Sequence, residues 1–365
     1  VKFRCDRDEL ADALQSAARA VGARASLPVL NGIRLELSGS TLQVTGSDLD
    51  LWITASLEVG DAEAGMGVVP ARLLTDSVRS LPPGRVEISI ADDEATIRSE
   101  RVEFSLRTTP AAEYPKLPEM APSSVTVSAD ALVSAVRQVV AAASTDDARP
   151  ILRGVQMEAE GDGVRLVATD SYRLAVRDLP GTSLLEPGQS VLVPRPAFQE
   201  LGKLMADEES VTLHLGERDA TFQVGSATLT TRLIEGDFPN YRTLIPQQHP
   251  HQLSIGRDAL IEAVKRVKVV ARDAAATPVR LTMKPGLLEL SATTQDYGTA
   301  FEQLDARYDG PELTVAFNPE YLVAGAEVAD GDEITLDVID ALKPALLQAP
   351  GSPDYRYVLM PVRSP

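Results

Sequence analysis

One amphipathic pattern occurs three times in this chain of 365 residues and leaves few folds open. It reads Asp8-Glu9-Leu10-Ala11-Asp12-Ala13-Leu14, then Asp130-Ala131-Leu132-Val133-Ser134-Ala135-Val136, then Asp258-Ala259-Leu260-Ile261-Glu262-Ala263-Val264. Apolar positions continue at helical spacing: Leu10, Ala13, Leu14, Ala17, Val21; Leu132, Ala135, Val136, Val139, Ala143; Leu260, Ala263, Val264, Val267, Ala271. That spacing predicts one buried stripe on each helix. Asp6, Ser128 and Gly256 stand where N-caps belong, and the leading aspartates fall in the first turn, where a carboxylate meets the positive end of the helix dipole. Those aspartates are 122 and 128 residues apart, the size of a domain rather than of a solenoid repeat.

What surrounds the helices repeats as well. In the first copy Gly32–Leu37 and Leu42–Thr45 alternate apolar and polar residues, as half-buried antiparallel strands do. Val68-Val69-Pro70 then leads into a second helix ending at Leu81, before Pro82-Pro83-Gly84. Strands follow at 86–90, 95–98 and 102–106. Pro150-Ile151-Leu152 answers Pro28-Val29-Leu30, Val193-Pro194 answers Val69-Pro70, and Phe317-Asn318-Pro319 opens the corresponding helix of the last copy. The reading is α+β: three domains over 1–119, 120–246 and 247–365, each with two helices packed on about eight antiparallel strands. Sheets joined edge to edge between domains would leave one unpaired edge at each end of the series, a hazard that a second copy joining head to tail removes.

Composition narrows the function classes. No apolar run approaches a membrane span and no signal core opens the chain, so a soluble, cytoplasmic protein is expected. Cys5 is the only cysteine, which excludes an intrachain disulfide; its place in a first strand reads as a small buried apolar residue. No Gly-rich phosphate loop and no GxSxG elbow is present, and Asp92-Asp93 and Asp207-Glu208-Glu209 sit at expected turns. His214 falls in a strand, and His249 and His251 flank a proline in a loop, a poor metal site. No enzyme activity, cofactor or metal is expected; a carboxylate-based hydrolase is the enzyme reading set aside.

A net charge of −18 argues against nucleic acid unless the positive charge is concentrated. It is. The faces opposite the buried stripes carry Asp12, Gln15, Ser16 and Arg19; Ser134, Arg137, Gln138 and Ala141; Glu262, Lys265, Arg266 and Val269, so that basic and neutral polar residues dominate. Arg24 and Lys268 lie nearby, and the second helices add Arg72, Arg79, Arg195 and Lys203. Such faces can hold phosphates without reading bases, although a solvated helix face would look similar.

Taken with the three-copy plan, several stretches closely resemble the bacterial DNA polymerase III beta subunit, the sliding clamp. They are Arg24 before Leu27-Pro28, the run Ala168-Thr169-Asp170-Ser171-Tyr172-Arg173-Leu174-Ala175-Val176, Phe238-Pro239-Asn240-Tyr241-Arg242, and the tail Val358-Leu359-Met360-Pro361-Val362-Arg363. The resemblance spans the whole chain. It implies the DNA clamp fold, a head-to-tail dimeric ring around duplex DNA, and a non-catalytic processivity factor. Such a ring tethers the replicative polymerase subunit, is opened by a clamp loader, and serves other polymerases and repair proteins.

Carried over residue by residue, the resemblance implies phosphate contacts from Arg24, Arg72, Arg79, Arg137, Arg195 and Lys203. It implies a cleft for short Gln/Leu/Phe-type peptides built from Leu152, Thr169, Ser171, Tyr172, Arg173, Leu174, Pro239, Thr243, Leu244, Asn318, Tyr321, Leu342 and Pro344. Val358, Leu359, Met360, Pro361, Val362 and Arg363 complete it. A dimer interface is implied at Phe104 and Leu106 against Val269 and Val270. The family commonly carries Gly-His where this chain has Ser171-Tyr172, which keeps open an alternative: a clamp paralogue with altered partner or inhibitor binding outside the main replisome.

Overall fold

The computed structural model describes residues 1–22, 27–245, 248–271 and 277–363. Arg24 and the expected boundary at 246/247 lie outside the described residues. The first repeat runs β1 (Lys2–Asp6), α1 (Arg7–Ala18), β2 (Gly32–Ser38), β3 (Thr41–Ser47), β4 (Leu51–Glu58), β5 (Gly60–Glu63), β6 (Gly65–Pro70), α2 (Ala71–Ser80), β7 (Arg85–Ala91), β8 (Glu94–Ser99) and β9 (Val102–Arg107). The second runs β10 (Ser124–Ser128), α3 (Ala129–Val140), β11 (Gly154–Glu160), β12 (Gly163–Thr169), β13 (Arg173–Leu179), β14 (Ser190–Pro194), α4 (Arg195–Leu204), β15 (Ser210–Leu215), β16 (Asp219–Val224) and β17 (Ala227–Arg232). The third runs β18 (His251–Gly256), α5 (Arg257–Val267), β19 (Val279–Lys284), β20 (Leu287–Thr294), β21 (Gly298–Asp305), β22 (Leu313–Phe317), α6 (Pro319–Glu327), β23 (Glu333–Val338), β24 (Ala345–Ala349) and β25 (Ser352–Leu359). The order is the same in all three, with β5 as the one addition.

These elements gather into two compact units, Val1–Val133 with Pro196–Leu233, and Ser134–Arg195 with Ile234–Pro365. In the first, one sheet has the order β5-β1-β7-β8-β9 and the other β10-β15-β16-β17-β4-β3-β2-β6. The antiparallel pair β17–β4, with Leu229 opposite Ile53, joins strands of two repeats edge to edge. In the second unit the orders are β14-β11-β12-β13-β25-β24-β23-β18 and β21-β20-β19-β22, and β13–β25 makes the corresponding join. Every ladder is antiparallel.

The first unit shows how the stripe sets the packing. Asp6 caps α1, its carboxylate accepting from the Asp8 and Glu9 amides at 2.8 and 3.3 Å. Leu10, Ala13, Leu14 and Ala17 are buried in one core with Leu35, Val44, Ile88 and Ile97 of β2, β3, β7 and β8, the helix lying on β4, β3 and α2. A Cβ on Gly46 would collide with the Ala17 carbonyl, so the helix rests on bare backbone of β3. Val21, expected in the stripe, lies beyond the helix end and is half-buried. Cys5 is buried and its thiol is pushed up to about 12, first by burial and then by Asp6 and Glu9.

In the second unit α5 buries Leu260, Ala263, Val264 and Val267, and α6 is capped by Asn318, whose Oδ1 accepts from the Glu320 and Tyr321 amides. One expectation is corrected here. Gln138 does not share the solvent face with Arg137; it is buried, and its Nε2 donates to the Val328 carbonyl and Asp330 Oδ2, both at 3.1 Å. A buried amide must find partners, and a helical wheel cannot show which side chain neighbouring elements will cover. No helix among the described residues is long and apolar enough to cross a membrane.

Candidate functional site

The join between β13 and β25 sets three of the expected cleft residues side by side. Thr169 on β12 is opposite Leu174 on β13, Leu174 is opposite Val358 on β25, and Val358 is opposite Leu346 on β24. Because side chains alternate along a strand, these four share one face, and Val167 and Val176 form the next pair on it. Tyr241, Phe238 and Ile245 pack over this apolar row. Leu346, Phe238, Tyr241 and Ile245 are absent from the residues assigned from the sequence. The Phe-Pro-Asn-Tyr run was the available signal for two of them.

The segment after Asn240 is clamped to β11. Tyr241 hydroxyl donates to Glu158, and Arg242 pairs with Glu158 and Glu160 at 3.0 and 2.7 Å. Burial, with Glu158 adding to it, pushes the Tyr241 phenol up to about 12. This anchoring leaves Pro239, Thr243 and Leu244 exposed beside the row.

The rim is built by the turn between β12 and β13. Asp170 accepts from the amides of Tyr172 and Arg173 at 2.9 and 3.0 Å, and its second oxygen receives Arg173 Nε at 3.0 Å. Thr169 hydroxyl donates to the Arg173 carbonyl at 2.7 Å and accepts from the Ser171 amide at 3.1 Å. So tight a turn requires positive φ at its apex, and Ser171 has φ +81°. Glycine tolerates this region more readily, which gives the Gly of the resembling family a backbone reason. Tyr172, 57% exposed, stacks on Tyr321 with centroids 6.4 Å apart. Burial works against the Arg173 charge, but Tyr357 and Asp170 outweigh it and hold that guanidinium above its ordinary pKa.

The tail closes the site. Met360 amide donates to the Tyr172 carbonyl at 2.9 Å, and Val362 amide donates to the Ala316 carbonyl at 2.8 Å. Met360, Val362, Leu342, Leu244 and Tyr172 are all exposed, a concentration of large apolar side chains of the kind that marks interaction surfaces. Leu359 is buried, and Leu152, Pro344 and Pro361 are partly covered. Asn318 presents its amide at the α6 start with its oxygen committed to the cap.

The expected phosphate contacts sit on separate helices. In the first unit Arg72 and Arg79 are exposed on α2 and Lys203 on α4; Arg72 is 3.7 Å from Asp76 and Lys203 is 2.8 Å from Glu200. In the second, Arg137 is exposed and 3.9 Å from Asp330. Arg195 is partly buried with its Nε unpartnered, and burial, then Arg173 and Arg153, lowers its pKa. Such exposed pairs contribute little and exchange readily.

The expected interface residues lie on sheet margins. β9 and β21 are edge strands of their sheets. Phe104 and Leu106 are half-buried on their own core, whereas Val269, 67% exposed, and partly covered Val270 follow α5. Phe301 on β21 and Tyr297 just before it are also exposed. His214 bridges the Ala121 carbonyl and Gln223 at 2.9 and 3.0 Å, a structural role.

Models of the DNA polymerase III beta subunit match the chain throughout: the N-terminal domain over 1–118, the central domain over 126–240 and the C-terminal domain over 242–363. The beta sliding clamp of Streptomyces coelicolor is 38% identical, with 100% of this chain and 99% of that protein covered. That of Bacillus subtilis is 31% identical with both chains fully covered. A sliding clamp of Bartonella birtlesii, solved bound to griselimycin, superposes with a TM-score of 0.95 at 33% identity, covering 100% of this chain and 99% of its own. The three clamp domains, with their six helices on antiparallel sheets, therefore belong to the DNA polymerase III beta subunit family: this chain is one of the beta sliding clamps, the non-catalytic processivity factors of that polymerase.

Proposed function

We propose that the apolar row over β12, β13, β25 and β24, with its rim of Tyr172, Leu244, Leu342, Met360 and Val362, is the cleft through which this clamp holds its partners. The observation that carries this is the exposure of those five side chains around a floor already fixed by backbone pairing. A flexible thioether among branched side chains suits apolar anchors of varied shape. The partners are the replicative polymerase subunit, a clamp loader, and other polymerases and repair proteins, each engaging through a short Gln/Leu/Phe-type peptide. The working form is a homodimeric ring in the cytoplasm around duplex DNA of any sequence, with domains over 1–119, 120–246 and 247–365. The unpaired edges of β9 and β21 support head-to-tail closure, and Arg72, Arg79, Arg137, Arg195 and Lys203, with Arg24, supply weak phosphate contacts that permit sliding.

Titration with a fluorescent Gln-Leu-Asp-Leu-Phe peptide tests the cleft. Saturable binding near ~1 μM, about −8 kcal/mol, lost in Met360→Ala and on truncation after Leu359, is expected. A folded dimer that ignores the peptide at millimolar concentration overturns the assignment.

A further inference from the structure

The two joins between repeats are built from different side chains. Each is an antiparallel ladder of five facing pairs, β17 on β4 in the first unit and β13 on β25 in the second. Across the first, Leu229 faces Ile53 and Thr230 faces Trp52, while the hydroxyl pairs Thr45–Thr54 and Thr221–Thr230, each at 3.0 Å, stay on one side of the join. Among the described residues no ion pair crosses it. The guanidinium of Arg232 lies 5.8 Å from the centroid of the Trp52 ring.

The second join is crossed by charge. Asp178 of β13 accepts from Arg165 Nε of β12 at 2.5 Å, and its other oxygen receives Arg165 Nη2 at 3.1 Å and Arg356 Nη2 of β25 at 2.7 Å. Arg165 also meets Glu160 at 3.2 Å, and Glu160 meets Arg242 at 2.7 Å. Charges of alternating sign thus run from the segment after Asn240 to the last strand. Asp178 follows Leu174 and Val176 at a spacing of two, as Arg356 precedes Val358, so the charges share a face with the apolar row. They are largely covered, with side-chain exposures of 12% for Arg165, 25% for Asp178 and 23% for Arg356. Arg165 has a second carboxylate in Glu160. Arg356 has Asp178 as its one carboxylate partner among the described residues, and its buried Nε has no hydrogen-bond partner. Removing one member of a covered pair strands the other charge, and that costs more than the pair contributes.

We infer that Asp178 is a positioning residue: by holding Arg356 beside Arg165 it fixes the last strand, and with it the tail that borders the apolar row, through a contact that the first join lacks. Its reach extends past the ladder, because the Met360 amide on the Tyr172 carbonyl continues the pairing of Arg173 with Leu359. The effect on partner binding rests on the cleft reading above; the hold on the strand does not.

Hydrogen–deuterium exchange of the full chain, read by mass spectrometry over 352–360 and 227–232, tests the hold. Asp178→Asn should speed exchange over 352–360 about tenfold and leave 227–232 unchanged. The Gln-Leu-Asp-Leu-Phe peptide should bind about fivefold more weakly. Adding Arg356→Gln removes the stranded charge, and the double variant should return both readings to within about twofold of the original; a side chain needed only for packing gives no such rescue. Salt supplies a reading without substitution: exchange over 352–360 should rise about threefold between ~50 and ~500 mM sodium chloride, while that over 227–232 stays constant. Unchanged exchange over 352–360 in folded Asp178→Asn, or no rescue by Arg356→Gln, overturns the inference. Should Asp178→Asn fail to fold, an equal salt response over both segments overturns it instead. If the peptide binds no form of the chain, the cleft falls and the exchange readings alone decide the inference.

Discussion

The guanidinium carbon of Arg173 lies 4.4 Å from the centroid of the Tyr321 ring. The same side chain meets Asp170 at 3.0 Å and the Tyr357 hydroxyl at 3.5 Å, and that hydroxyl donates to the Tyr321 carbonyl at 3.0 Å. One arginine therefore ties the rim turn, the last strand and the start of α6. Arg173→Ala removes the partner of a largely buried carboxylate, with a loss of about 2–3 kcal/mol of stability and weaker binding of the core peptide. Arg173→Lys keeps the charge but not the fork, and should lose about 1 kcal/mol. Urea denaturation with parallel peptide titration measures both.

Ser171 is held at φ +81° by hydrogen bonds on either side of it. A non-glycine residue there is strained by about 1–2 kcal/mol, part of which glycine gives back through unfolded-state entropy. Ser171→Gly should raise stability by about 0.5–1 kcal/mol, read as a higher urea midpoint at unchanged slope.

Alkaline pH should unlock the same region. Burial, opposed by Arg173, raises the Tyr357 phenol from 10.0 to about 12. A group with a raised folded pKa contributes stability fully below its unfolded value and loses it as pH rises through the folded one. Stability should hold to about pH 10 and fall between about pH 10 and 12, with Tyr114 and Tyr241, also raised to about 12, adding to the slope. Tyr357→Phe should flatten that fall, and an unchanged slope would show that other groups control it.

Ring closure is tested at the sheet margins. Leu106→Lys should yield monomers by light scattering, but this side chain also packs on its own core, so the exposed Val269→Lys is the cleaner companion. A dimer of unchanged mass in both removes these positions from the interface.

The helices were legible in the sequence because their stripes are narrow and their first turns acidic, and Asp6 caps α1 as its position implied. Strand β4 was not. It is buried at Leu51, Trp52, Ile53, Thr54 and Ala55, so its residues show no alternation. Strand β5 is exposed throughout and carries no apolar signal. Leu346 joined the apolar row through register, which depends on partners far away in the chain. Motif resemblance assigned to the proposed cleft the residues of distinctive runs, Ser171 to Leu174 and Val358 to Arg363, and passed over those, such as Ile245, that pack on the apolar row.

The pairing of β13 with β25 also orders events during synthesis. Leu174 finds Val358 only across a sequence separation of 358 − 174 = 184, and contacts so distant in sequence form late. A ribosome must deliver the last strand before the apolar row has its third and fourth members. A growing chain therefore has no complete row to offer, and the partner capture proposed for that row is deferred until both strands have been made.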